Sequence, residues 1–201
     1  MGLRARSVDR AWFGRNGFWS RGDFEAAVRE SVSWGAFGLL LTLLANVAAD
    51  HSSGKYLSMA ALEGLGPSLW NVAGSVGLVF FGAFLIRPGL AGTAYLANLL
   101  LSGTHSLGAC MAGVILGGLL VQIPAMVVDH GWGWLSIWTV VLSVGLSMCV
   151  LMNLFAWYIG WLVKQQGPFQ NWLNGIGARY RISAGLFFVL MPLIALVTQK
   201  V

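Results

Sequence analysis

Three histidines carry the only side chains in this chain whose type and setting point toward cofactor chemistry. Two of them follow an aspartate, as Asp50-His51 and Asp129-His130. Imidazole and carboxylate together suit a divalent metal such as zinc, copper or iron. Both pairs fall at the ends of apolar runs, on the same expected side of a membrane, where each can equally well mark the point at which a helix meets water. The third, His105, lies between Thr104 and Ser106. In an apolar setting it could bond a quinone oxygen or ligate a haem axially, or cap a broken helix. His105 and His130 are 25 residues apart, roughly 37 Å along a helix, so they cannot hold one haem between them.

Other catalytic constellations are missing. Cys110 and Cys149 both lie in apolar stretches and form no C-x-x-C pair. They support neither a four-ligand zinc site nor a disulfide-stapled secreted fold. The chain has no phosphate-binding glycine loop, no H-E-x-x-H and no G-x-S-x-G. No catalytic residue is assigned, and no cofactor is implied beyond what the histidines could hold.

The best-formed pattern is one of packing. Ala109, Gly113 and Gly117 repeat a small residue every fourth position. That spacing opens a groove in which another helix can approach closely. Asn46, Asn71, Asn98, Gln122 and Asn153 are spread over the apolar runs. Buried amides of this kind bond across helices or line a polar path.

These residues need elements to hold them, and the composition says which. Of 201 residues, 57% are hydrophobic and 9% charged, where a soluble domain carries about 25% charge. Mean hydropathy is +0.74. The chain reads as an all-α, polytopic membrane helix bundle. The net charge of +5 comes from scattered arginines and lysines that flank apolar runs, which excludes a nucleic-acid-binding face. Glycine is abundant, 27 residues, as expected where helix backbones must approach one another.

No charge occurs in 31–49, 64–86, 88–128, 130–163 or 182–199. A crossing helix takes about 20 apolar residues. Four of these windows therefore give one span each, at about 31–49, 67–86, 133–163 and 182–198. The window 88–128 would run about 60 Å as one helix, twice the hydrocarbon thickness. A break is expected at Ser102–Ser106, leaving a span at 107–128. The segment 88–106 is then broken or re-entrant, and the chain has five transmembrane helices. Six is the alternative if 90–101 also crosses.

Basic residues favour five. With the N-terminus inside, Arg4, Arg6, Arg10, Arg15, Arg21, Arg29, Arg87, Lys164, Arg179 and Arg181 are cytoplasmic, and only Lys55 and Lys200 lie outside. Residues 1–30 form a cytoplasmic arm that pairs aromatics with arginine, notably Trp12 with Arg15 and Trp19 with Arg21. Such pairs suit the surface of an anionic leaflet. Residues 31–201 form one transmembrane bundle. After Gly167-Pro168, Phe169, Trp172, Leu173 and Ile176 make an apolar stripe, which predicts a short interfacial helix at about 169–176.

Three function classes remain. The first is a non-catalytic subunit of a larger bacterial inner-membrane assembly, of secretion, conjugation or electron-transfer type, packed against other membrane subunits and the lipid bilayer. It fits the missing chemistry and the small-residue faces. The second is a small channel or carrier for a neutral or hydrophobic solute. The third is a haem-, quinone- or metal-bearing anchor of a redox enzyme.

Overall fold

In hydrocarbon no water is available to satisfy a backbone N–H or C=O, so an apolar chain of this kind must close its hydrogen bonds within helices. The computed structural model describes residues 21–48, 56–57, 59–61, 63–164 and 166–198, and among these the regular structure is helical. The longer elements are α1 (Arg21–Ala48), α2 (Leu65–Ile86), α3 (Ala91–Lys164), α4 (Gln166–Gly175) and α5 (Ala178–Thr198). Four helices are long and apolar enough to cross a membrane, and they correspond to α1, α2, α3 and α5.

The first apolar run begins earlier as a helix than its charges indicate. α1 starts at Arg21 and carries Asp23, Glu25, Arg29 and Glu30 in its first turns. α2 stops at Ile86 because Pro88 disfavours helical geometry at the residue before it. A turn follows, closed by Leu90 N–H to the Arg87 carbonyl at 3.2 Å.

α3 departs from the expectation. It is assigned as helix over 74 residues, running through both Ser102–Ser106 and Pro124. The expected break at Ser102–Ser106, with 88–106 as a re-entrant piece, is not where the helix breaks. The residue inside α3 with non-helical dihedrals is Gly131, at φ 77° and ψ 171°. The polar cluster stays helical because its side chains find partners: Ser102 donates to Asn98 Oδ1, and His105 and Ser106 bond outside their own turn.

Gly131 turns α3 back on itself. Leu101 packs against Gly160, where a Cβ would lie 3.2 Å from that of Leu101. His105 Nδ1 lies 3.0 Å from the Asn153 carbonyl, and Asn153 also covers Gly108. Each pair is centred close to position 131, so α3 is a hairpin with a first arm up to His130 and a second arm from Trp132. The φ/ψ of Gly131 falls in a region that is essentially glycine-only.

The chain divides into two compact units. One comprises the described residues of Met1–Arg29, Val72–Gly103 and Ala156–Val201. Its core joins Phe81, Phe84 and Leu85 of α2 to Ala97 and Leu101 of the first arm and Ile159 and Val163 of the second. Phe169 and Leu173 of α4 complete it. Phe169 stacks near Phe81 and Phe84, with centroids 6.5 and 6.3 Å away. Gln170 donates to the Pro88 carbonyl at 3.1 Å, tying α4 to the loop before α3. On α2 and α5, Gly82 and Gly185 meet backbone to backbone; a Cβ on Gly185 would lie 2.7 Å from the Gly82 carbonyl oxygen.

The other unit comprises Glu30–Asn71 and Thr104–Phe155. Here α1 lies against the first arm of α3 through glycines. A Cβ on Gly113 would collide with the carbonyl of Gly35, and one on Gly38 with the carbonyl of Cys110. A Cβ on Gly117 would stand 2.8 Å from Thr42 Cβ. Thr42, fully buried, donates within hydrogen-bond reach of both the Gly38 and Val114 carbonyls. Helices in lipid gain no hydrophobic drive from pairing, so close backbone packing of this kind holds them.

Candidate functional site: the buried polar cluster around His105

His105 is 0% exposed. The helical periodicity of the first arm turns it, with buried Thr104, away from the outer face that carries exposed Gly103. A buried imidazole needs partners for both nitrogens. Nδ1 faces the Asn153 backbone carbonyl at 3.0 Å, and Nε2 faces Ser31 Oγ at 3.1 Å. A carbonyl only accepts, so Nδ1 carries the proton. In the neutral ring Nε2 then accepts from the Ser31 hydroxyl.

The cluster extends on both sides. Ser106 donates to Glu30 Oε1 at 2.7 Å, so Glu30-Ser31 of α1 meets His105-Ser106 of α3 residue for residue. Trp70 of α2 donates from Nε1 to Asn153 Oδ1 at 2.8 Å. Gly108 makes this possible: a Cβ there would run into the Asn153 amide. One polar cluster thus links α1, α2 and both arms of α3 within a single unit.

No known protein family, curated protein or solved structure matches this chain. Both nitrogens of His105 are taken by protein partners, so neither points at an open coordination position or a quinone oxygen. The Ser31 hydroxyl donates to a ring nitrogen and the Ser106 hydroxyl to a carboxylate. These hydrogen bonds cross-link α1, α2 and the two arms of α3.

The remaining site residues are placed as follows. Asp129 and His130 are exposed at the end of the first arm, and the His130 ring meets Trp134 edge-on at 6.1 Å. Asp50 and His51 lie outside the described residues, as do Trp12, Arg15 and Trp19. Among the described residues no three metal-binding side chains come together. Arg21 is the first residue of α1. Trp172 is 44% exposed and stacks on Phe169 with centroids 5.7 Å apart. Ala109 is buried, and Gly113 and Gly117 face α1.

Of the amides, Asn153 bridges helices, whereas Asn46 bonds the Thr42 carbonyl and Asn98 accepts from Ser102, each within its own helix. Four participants had no sequence signal as a group: Glu30, Ser31, Trp70 and Gly108. Glu30 and Ser31 straddle the start of a charge-free run, which is a boundary by composition and a contact point by structure. Trp70 resembles an interfacial tryptophan until its indole N–H is seen to have a buried acceptor.

Proposed function

We propose that this chain is a non-catalytic integral membrane subunit of a larger assembly in a bacterial inner membrane, acting by helix packing. It crosses five times, with the N-terminus cytoplasmic. The bond between Gln170 and Pro88 supports the count, because it brings the regions preceding and following α3 together. A helix that leaves and returns to one side contributes an even number of crossings, and each arm of α3 exceeds the roughly 20 residues one crossing needs. With α1, α2 and α5 crossing once each, the total is five. Arg87, Lys164, Arg179 and Arg181 then share the cytoplasmic side, in keeping with the positive-inside rule.

The observation that carries the assembly reading is the bare distal part of α3. Leu120, Val121, Val128, Trp132, Ile137, Trp138, Val140, Val141, Val144, Met148 and Leu151 are all exposed. From Trp132 to Leu151 of the second arm, only Leu135, Leu142 and Leu146 are less than exposed, so exposure covers all but one narrow stripe of the helix. A helix apolar on all sides is covered by lipid or by other membrane helices. A hairpin this long with so little packing of its own is suited to docking between partner helices.

The test is photo-crosslinking from Val140 and Val144, with buried Ala97 as reference, in native membranes extracted with a lipid-preserving polymer. Particle mass is measured on the same sample. The reading expects a particle well above 21.6 kDa of fixed stoichiometry, with protein adducts from positions 140 and 144 only. A monomeric particle whose adducts are all lipid sinks it.

A further inference from the structure

A cavity of about 280 Å³ lies within the unit that holds His105, bounded by Ala61, Pro67 and Trp70 on one side and by Ala112, Cys149 and Asn153 of the α3 arms on the other. Its walls are apolar, and no carboxylate, ammonium, guanidinium or imidazole lines it. It borders the outer surface of the second arm, where Cys149 and Met152 are exposed. A molecule dissolved in the bilayer can reach it sideways.

One polar group in this wall is left with work to do. Trp70 can only donate through its indole nitrogen, so the oxygen of the Asn153 amide is the atom that faces it. That fixes the amide and turns Nδ2 elsewhere. Asn153 is only 5% exposed, and it lines the cavity; its amide N–H groups are donors that the Trp70 contact does not engage. An amide N–H in an apolar chamber is unfavourable unless an acceptor meets it.

We propose that this cavity binds an uncharged apolar molecule whose carbonyl oxygen accepts a hydrogen bond from Asn153 Nδ2. Cavities lined by apolar side chains take up apolar ligands of matching size. The single donor fixes orientation, which is how apolar sites gain specificity. A quinone ring and the ester group of a membrane lipid share this chemistry. Gly108 is part of the site, since any side chain there would displace the amide.

The full chain, purified in non-ionic detergent, is examined by native mass spectrometry with two probes. One is decyl-ubiquinone. The other is a diacyl phosphatidylethanolamine, compared with its ether-linked analogue, which lacks the ester carbonyls. A one-to-one adduct with decyl-ubiquinone identifies a quinone site. An adduct with the ester lipid but not the ether lipid identifies a lipid site. In either case Ala112→Phe, which fills the cavity, abolishes the adduct. Asn153→Ala weakens it about five- to tenfold, the loss of one hydrogen bond. Phe187→Ala on α5 leaves it unchanged. If Asn153→Ala does not fold, Ala112→Phe decides alone. Absence of a stoichiometric adduct with both probes overturns the proposal, as does wild-type binding by the folded Ala112→Phe variant.

Discussion

The imidazole of His105 donates from Nδ1 to the backbone carbonyl of Asn153 at 3.0 Å, across the two arms of one helical hairpin. A carbonyl inside a helix is normally occupied by its own ladder, and its second lone pair is what the ring uses. The contact sets the register of the arms. It also stations the Asn153 side chain over Gly108, where Trp70 can reach it.

Removing the imidazole should therefore loosen the hairpin. His105→Leu leaves the Ser31 hydroxyl without its ring partner and should destabilise by about 1–3 kcal/mol. Ser31→Ala should cost less, about 0.6 kcal/mol, the average for hydrogen bonds between membrane helices. Reversible unfolding in mixed micelles measures both. Equal effects from the two would mean the Asn153 contact contributes nothing.

Gly131 should resist substitution for backbone reasons alone. No neighbouring atom lies within 4 Å of where its Cβ would be, yet its φ is +77°. Gly131→Ala should cost about 1–3 kcal/mol through strain. Gly133, with the same open surroundings and no positive φ, should gain up to about 1 kcal/mol as Ala in a helix. Melting temperatures that move the same way for both variants would rule out a hairpin turn at 131.

Gly113→Ala should already be disruptive, because the new methyl group meets the Gly35 carbonyl. Overpacking of this kind costs about 1–3 kcal/mol. Gly103→Ala is the matched control, since nothing lies within 4 Å of its Cβ position. Thermal unfolding that treats the two alike would show that α1 does not pack on this face.

Topology is checked with reporter fusions after Ala60, His130 and Trp172. The first two should report the outside and the third the cytoplasm. An outside signal at Trp172 would remove the five-crossing reading.

The sequence by itself determined the class of protein. Low charge and five charge-free windows leave few solutions but membrane helices, because apolar length and backbone satisfaction are local properties of a segment. The short helix that carries Phe169 and Leu173 was legible for the same reason, since the two recur at helical spacing, although it starts earlier than expected, at Gln166. Where α3 turns was not legible. Ser102–Ser106 has the composition of a break, and Gly131 is one glycine among 27. Whether a polar cluster interrupts a helix depends on partners that composition does not reveal. Here Glu30, Ser31 and Asn153 supply them from segments 48 to 76 residues away, so the helix continues. The tertiary structure likewise decided that His105 faces protein on both nitrogens, and that Asn153 meets Trp70 through its amide oxygen. A side chain's free hydrogen-bonding capacity is what remains after its neighbours are placed, and only the fold places them.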